Sequence, residues 1–187
     1  MFIDLTLEIT PEIRSKAQQN QDRTIGGHLG THFDVMDKIF PLEYLERDGI
    51  VFDVSNIRNR DIKIEDINIE KVKSDMFVAF YSNFIEEIGY GEKEYFKEHP
   101  QLSKDLIDAL LEKNISIIGI DFTGIRREEE HTMMDEYCAE EGVFIVENLC
   151  NLKEVLKDKS SSKFTAHTYP VKYTGMSGLP CRVVAEI

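Results

Sequence analysis

The stretch HLGTHFD, at residues 28–34, determines the fold and chemistry expected of this chain. It places two imidazoles and one carboxylate within seven residues, directly after Gly26 and Gly27. Strand side chains alternate with a period of two, so an extended segment would put His28, His32 and Asp34 on one face. Gly30, on the same face, would leave the space between the imidazoles empty.

Two neutral imidazoles and a carboxylate that face one point are a ligand set typical of Zn²⁺ or Mn²⁺. The alternative is a buried strand whose histidines hydrogen-bond to the backbone while Asp34 caps a turn. For a single histidine that alternative is favoured, but the alternating triplet behind two glycines favours the metal. We therefore predict that His28, His32 and Asp34 bind a divalent ion.

The overall composition is that of a globular chain. Its 187 residues are 42% hydrophobic and 10% aromatic, and no linker rich in Pro, Gly or Ser divides them. We therefore expect one domain, spanning residues 1–187, with a core of its own. The net charge of −13 repels phosphate backbones and anionic lipid, so we expect no nucleic-acid or membrane partner.

The cysteines and the first residues indicate the compartment. The three cysteines form no CxxC pair, and their odd number argues against a disulfide framework. The chain does not open with a basic segment followed by an apolar run, and no window approaches the roughly 18 apolar residues of a membrane helix. We expect a cytoplasmic protein with reduced thiols.

Hydrophobic periodicity predicts strands along the whole chain and helices in its second half. The predicted strands are residues 2–9, 49–55, 76–80, 115–120, 143–146, 165–173 and 182–187. The predicted helices run from Ser103, as N-cap, to Asn114 and from His131 to Glu141. This pattern indicates an α/β fold with a mixed β-sheet flanked by helices. Polar residues 15–24, beside the histidines, are a candidate substrate lid.

The His-x-Gly-Thr-His-x-Asp motif resembles the signature of the cyclase family, metal-dependent hydrolases that include bacterial kynurenine formamidase. Other segments resemble the family in the same order along the chain: IDLT at 3–6, HPQLS at 99–103, GID at 119–121, VENL at 146–149 and GLPCRVVA at 178–185. The similarity spans nearly the whole chain. The first motif is specific to the family, whereas the other segments support the resemblance only together, through their common order along the chain.

The resemblance implies a fold and a reaction that periodicity cannot provide. The implied fold is the family's swivelling β/β/α-like arrangement, in a homodimer or homotetramer. The implied reaction is hydrolysis of a small-molecule amide, formamide or cyclic amide, with kynurenine formamidase (arylformamidase) activity, in tryptophan catabolism, as the namesake. Zn²⁺ lowers the pKa of bound water from about 15.7 to about 7, so a metal-bound hydroxide would attack the carbonyl.

The chain departs from the family pattern at specific positions. The family has a Pro two residues and a His four residues after the Asp of the first motif, where this chain has Met36 and Lys38. A further family His, twelve residues before the Glu of Glu-Asn-Leu, is Asp135 here. That Glu is retained as Glu147. By resemblance, Glu147 joins the three residues of the first motif as a metal ligand.

The two missing imidazoles leave the proton acceptor to other residues. Glu147 is the first candidate and Asp135 the second, whereas Lys38 serves only with a depressed pKa. A Lys38 ammonium within about 4 Å of either carboxylate would replace the charge of a second ion, so we predict one bound ion rather than two. The alternative places Lys38 in solvent and Asp135 on a helix surface. The alternative function is a catalytically impaired metal- or ligand-binding protein on the same scaffold.

The remaining histidines and aromatic residues favour structural roles. His131 lies one helical turn before Asp135, but its charged neighbours predict a solvated helix start. We expect His99 at the surface and His167 within a sheet. Five aromatic residues either line an aromatic substrate pocket or, more often, belong to the core: Phe33, Phe40, Tyr44, Phe84 and Tyr90.

Overall fold

The computed structural model describes residues 1–17 and 26–187, which contain eight strands and six helices. The strands are β1 (Phe2–Asp4), β2 (His32–Asp34), β3 (Glu46–Asp53), β4 (Phe77–Tyr81), β5 (Ile117–Ile120), β6 (Phe144–Glu147), β7 (Ser161–Pro170) and β8 (Gly178–Glu186). The helices are α1 (Pro11–Ala17), α2 (Phe84–Ile88), α3 (Lys93–Lys97), α4 (Lys104–Glu112), α5 (Glu129–Glu140) and α6 (Leu152–Leu156). Short 3₁₀ turns occupy Leu42–Leu45, Ile64–Asp66 and Ile69–Lys71.

The strands form one mixed sheet in the order β1-β8-β2-β6-β5-β4-β3-β7. Strands β3, β4, β5 and β6 are parallel to one another, and the other pairings are antiparallel. Because β7 also pairs with β8, seven strands close into a barrel-like sheet with β1 attached outside β8. The predicted α/β class with a mixed sheet is confirmed.

Two hydrophobic clusters lie on opposite faces of the strands. The first receives side chains from all eight strands, such as Phe33, Phe77 and Val146, so the closed sheet surrounds it. The second lies between the outer face of the sheet and the helices, and it includes Leu106 and Leu110 of α4 together with Ile118 of β5. Alternation along each strand produces this division, because successive side chains point to opposite faces.

The predicted elements are confirmed in type, with shifted ends. Ser103 caps α4, since its hydroxyl accepts a hydrogen bond from the Leu106 N–H at 3.2 Å. The predicted first strand ends early, at Asp4, and β8 begins four residues before its predicted start. Of the candidate lid, residues 15–17 belong to α1, and residues 18–24 lie outside the described residues. In the described part of the chain, no helix has the length and apolar character needed to cross a bilayer.

Candidate metal centre

The histidine motif is not the extended segment that its alternation predicts. Only its last three residues form a strand, β2, and the chain before them turns. Gly30 has a φ of +71°, a left-handed conformation that glycine adopts without steric cost, and a Cβ there would lie 2.6 Å from Ile9 Cδ1. Gly30 is therefore required for the turn and for the contact with Ile9. It does not act as a spacer between imidazoles.

The sheet register brings a distant carboxylate beside the motif. In the antiparallel pair of β2 and β6, His32 lies directly opposite Glu147. Directly paired residues share a face, and residues two apart on one strand do as well, so His32, Asp34 and Glu147 all face the helix side of the sheet. Each of the three side chains is buried. The sheet thus brings together polar side chains that lie more than a hundred residues apart in sequence.

Three donor atoms of the motif converge on one point. His28 Nδ1 lies 3.0 Å from His32 Nε2 and 3.0 Å from Asp34 Oδ1, and His32 Nε2 lies 3.5 Å from the same oxygen. Ligands about 2.0–2.2 Å from one ion, at angles of 90–110°, are separated by about 3.0–3.5 Å. The triangle therefore has the dimensions of one face of a coordination shell.

Hydrogen bonds outside the triangle orient both imidazoles. His32 Nδ1 is 2.9 Å from the carbonyl oxygen of Gly30, which accepts its proton, so Nε2 is the nitrogen that faces the triangle. His28 Nε2 is 2.9 Å from the Ser177 hydroxyl, a partner that leaves Nδ1 to face the triangle. Metal-bound histidines in proteins have this kind of support on their second nitrogen.

Helix α5 adds a second cluster beside the first. His131 and Asp135 lie one turn apart on α5, and His131 Nε2 is 3.3 Å from Asp135 Oδ2 and 3.3 Å from Glu147 Oε1. Donor atoms of Asp34, His131 and Asp135 all lie within 4.8 Å of one another. The predicted solvated position of His131 is wrong, because α5 packs against β6 and directs this face of the helix into the site.

The Glu147 carboxylate is held mainly by hydrogen bonds from residues 123 and 124. The Thr123 hydroxyl donates to Oε2 at 2.9 Å, and the Gly124 N–H donates to Oε1. Oε2 also lies 3.6 Å from His32 Nε2. Glu147 therefore borders both clusters, but it belongs to neither group of mutually close donor atoms.

Burial and mutual charge shift the pKa values at the site. Burial lowers the pKa of His32, but the carboxylates of Asp34 and Glu147 outweigh it and raise the pKa to about 9. Burial likewise lowers the pKa of His131, and Glu147 and Asp135 raise it to about 9. Burial raises the pKa of Asp34, but His32 and His28 reverse this and hold it well below its usual value. Burial and the charge of Asp34 raise the pKa of Asp135 well above its usual value.

Two oxygens indicate that the residues present fit a cation. Asp34 Oδ2 and Asp135 Oδ1 are buried and have no hydrogen-bond partner among the described residues. Buried carboxylate oxygens normally accept hydrogen bonds or bind a metal, since an unpaired buried anion is costly. Both imidazole and carboxylate donors suit Zn²⁺ or Mn²⁺. The chemistry of the donor set and the two unpartnered oxygens agree.

A cavity of about 280 Å³ opens onto both clusters. Besides the clustered residues, its walls are formed by a small set of apolar and polar side chains: Met36, Tyr90, Phe96, Thr123, Thr132, Asn148 and Ser177. The volume is at the small end for ligand sites, which favours a small substrate.

Comparisons with known proteins identify the family of this chain. The family model described as "Putative cyclase" matches residues 3–126. The chain belongs to the cyclase family. A search of curated proteins finds no match.

Solved structures show the cyclase fold over the whole chain. The structure described as a "Potential Metal-Dependent Hydrolase With Cyclase Activity" is 25% identical, with a TM-score of 0.76, covering 99% of this chain and 96% of its own. A "predicted metal-dependent hydrolase from Bacillus stearothermophilus" is 22% identical, with a TM-score of 0.71 and coverages of 99% and 97%. An isatin hydrolase bound to the product analogue thioisatinate is 19% identical, with a TM-score of 0.68 and coverages of 83% and 70%.

Of the two positions where this chain lacks a family histidine, one lies in the site and the other does not. Asp135 lies in the site, as expected. Lys38 is exposed, and no ion pair within 4 Å joins it to another described residue, so the predicted contact with Glu147 or Asp135 is wrong. The reason is local, because Met36 and Asp37 have φ values of +47° and +65°, and this turn directs the chain away from the site after β2.

His131 occupies the place that the sequence predicts for Lys38. Its imidazole lies between the two carboxylates that Lys38 was predicted to contact. The signal in the sequence is its spacing of four residues from Asp135, which places both side chains on one face of α5. The charged run before His131 favours solvent exposure instead, because the packing of α5 against β6 is not visible in the sequence.

The other histidines and the aromatic residues are mostly structural. His99, predicted at the surface, is buried and stacks on Phe122, and burial lowers its pKa to about 4. His167 lies in β7, where Glu186 Oε2 is 3.1 Å from its Nε2. Of the five aromatic candidates, Tyr90 lines the cavity, and the others pack in or against the two hydrophobic clusters.

Proposed function

We propose that this protein is a metal-dependent hydrolase of a small cyclic amide. The observation that carries the proposal is the pair of buried, unpartnered oxygens on Asp34 and Asp135, two residues that line one cavity together with His28, His32 and His131. His28, His32 and Asp34 would hold a divalent ion, which polarises a carbonyl and lowers the pKa of water when it is bound. The likeness to an isatin hydrolase supports a cyclic amide as substrate.

The protein residues divide the proton transfers between them. Asp135 accepts the proton of the attacking water, because its Oδ1 is buried beside the first cluster and has no other partner among the described residues. A C–O bond forms at the carbonyl carbon. His131 then donates the proton on Nε2 to the leaving nitrogen as the C–N bond breaks. One water is consumed, and the ring opens to an amine and a carboxylic acid, which releases its proton to solvent. Asp135 returns its proton to His131 Nε2, 3.3 Å from its Oδ2, which restores both groups.

Glu147 anchors this arrangement. Both of its oxygens already accept hydrogen bonds, from Thr123 and from Gly124, which makes it a weaker proton acceptor than the sequence indicates. Its Oε1 holds His131 in place at 3.3 Å. We therefore propose Asp135 ahead of Glu147 as the acceptor, and no catalytic role for Lys38.

The cavity walls support an uncharged substrate. Among the described lining residues there is no Lys or Arg. N-formylkynurenine, the substrate of kynurenine formamidase, carries a carboxylate that would find no cationic partner on these walls beyond the imidazoles. We therefore propose a cyclic amide such as isatin ahead of N-formylkynurenine.

We propose one ion per chain. The His131 imidazolium, between Asp135 and Glu147, provides the positive charge that a second ion would bring. Two ions would instead need His131 neutral, with Asp34 shared between the two donor groups. Titration of metal-free protein with Zn²⁺ and Mn²⁺ counts the sites, and two tightly bound ions would contradict this part of the proposal.

The activity test is a substrate panel with a matched pair of variants. Metal-free protein is assayed with isatin, a lactone and N-formylkynurenine, before and after addition of Zn²⁺ or Mn²⁺. Asp34→Asn removes a ligand, and Asp37→Asn makes the same change on an exposed residue three positions later. We expect metal-dependent hydrolysis of isatin that is lost in Asp34→Asn and retained in Asp37→Asn. Tight metal binding without turnover of any substrate would favour the catalytically impaired alternative.

A further inference from the structure

The carbonyl oxygen of Gly30 receives two hydrogen bonds in the interior of the protein. One comes from Nδ1 of His32, at 2.9 Å. The other comes from Nδ2 of Asn148, at 2.8 Å. The carbonyl that orients a metal-ligand imidazole is thus itself held by an amide side chain from the end of another strand.

Asn148 is bound at every polar group. Its Oδ1 accepts from the Tyr95 hydroxyl at 2.7 Å, and its carbonyl oxygen accepts from the Thr31 hydroxyl at 2.9 Å. Its backbone N–H donates to the carbonyl oxygen of Phe122 at 3.1 Å. The residue is buried, with a φ of +59°, a left-handed conformation that Asn tolerates better than most residues.

The partners determine which way the amide points. The Gly30 carbonyl has no proton to give, so the nitrogen of the Asn148 amide must face it. The oxygen then faces Tyr95, whose hydroxyl donates. Tyr95 is fully buried in an aromatic cluster, with its ring 5.5 Å from that of Tyr90. The orientation of the amide is therefore fixed from its far side.

We infer that Asn148 is a positioning residue for His32, acting through the Gly30 carbonyl. By holding that carbonyl, it keeps the proton of His32 on Nδ1 and the lone pair of Nε2 directed at the metal position. Because Asn148 directly follows Glu147, β6 supplies both a carboxylate of the site and the support of the imidazole opposite. This role rests on the proposed metal site. The Gly30 carbonyl, which Asn148 holds, is a partner of the kind whose loss lowers metal affinity about 10–100-fold.

Three variants test the role. Asn148→Gly removes the amide and keeps a residue suited to positive φ. Tyr95→Phe removes only the hydroxyl that orients the amide. Asn151→Gly is the matched control, because Asn151 also has a positive φ, of +58°, and its Nδ2 also donates to a backbone carbonyl, that of Asp4, but in an exposed setting away from the site.

The readout is the affinity for Zn²⁺, measured by competition with a chelator, together with the ¹⁵N NMR signals of His32 in the zinc-loaded protein. We expect Asn148→Gly to bind Zn²⁺ about 10–100-fold more weakly, Tyr95→Phe to show a smaller loss, and Asn151→Gly to match the wild type. The His32 signals should broaden or shift in Asn148→Gly. If that variant fails to fold, Tyr95→Phe carries the test through the same two readouts.

The outcomes separate this inference from the proposed function. Wild-type protein that binds no Zn²⁺ would overturn the metal site itself. Tight binding by wild type together with unchanged affinity and unchanged His32 signals in folded Asn148→Gly, or in Tyr95→Phe if the first variant is unfolded, would overturn the positioning role alone. An equal loss of affinity in Asn151→Gly would also overturn it, because the effect would then come from general loosening of the chain.

Discussion

Gly124→Ala is expected to disable the site by displacing His131. Gly124 has a φ of +70°, and a Cβ there would lie 2.9 Å from His131 Nε2 and 2.8 Å from the carbonyl oxygen of Arg126. Ordinary contact begins near 3.4 Å, so the imidazole must withdraw by about 0.5 Å. Its contacts with Glu147 and Asp135, both 3.3 Å long, cannot both survive such a shift.

The expected magnitude has a backbone part and a catalytic part. A residue with a Cβ in the left-handed region costs about 1–2 kcal/mol, which lowers Tm by about 2–8 °C in a chain of this length. Loss of a positioned acid or base lowers kcat by about 10²–10⁴-fold. Gly124→Ala should show both effects.

Gly142→Ala separates the two parts. Gly142 has a φ of +76°, but a Cβ there would meet only the Tyr44 hydroxyl, at 3.9 Å. This variant should lose similar stability and keep the wild-type kcat. The assay combines thermal unfolding with metal-dependent hydrolysis of isatin. A folded Gly124→Ala protein with wild-type kcat would refute the assignment of His131 to the reaction.

Four further outcomes are expected. His32→Ala should abolish tight metal binding while the fold is retained, and unchanged metal content by elemental analysis would show that the site is misassigned. In metal-free protein, the raised pKa values of His32 and His131 contribute stability that is fully present below about pH 6.5 and is lost as the pH rises towards 9. The midpoint of urea unfolding should therefore fall between about pH 6.5 and about pH 9. A midpoint that does not change with pH would contradict the buried ion pairs. Lys38→Ala should leave kcat and metal affinity unchanged, since its side chain is exposed. A loss of either would support a role for Lys38 in the site. Glu128→Gly should raise the free energy of unfolding by about 1 kcal/mol, because Glu128 has φ +54° and ψ −128°, a combination suited to glycine. Calorimetry that shows no rise in Tm would argue against backbone strain at this residue.

Asp135 and Lys38 show when a residue's place in the structure can be inferred from its position in a family motif. Asp135 replaces a family histidine and still lies in the site, since it sits on a helix whose place is set by packing against β6. Lys38 replaces another and lies outside the site, since a turn with positive φ at Met36 and Asp37 begins two residues after the end of β2. Matching by position therefore works within regular elements and fails across a turn whose dihedral angles a single sequence does not reveal.

The sequence by itself determined the class of fold, the family and the first candidate set of metal ligands. These features are local, because they depend on alternation within strands, helical spacing after Ser103 and a seven-residue motif with a specific composition. Even the ligand set was predicted for a partly wrong reason, since His28 reaches the triangle through the turn at Gly30 and not along a strand.

Only the tertiary structure decided the closure of the sheet and the second half of the site. The pairing of β7 with β8, the register of His32 opposite Glu147 and the insertion of His131 between two carboxylates join segments far apart in sequence. Such contacts follow from the packing of whole elements against one another, which minimises exposed apolar surface over the entire chain. No local pattern of residues indicates how whole elements pack, so these contacts can be identified only from the folded structure.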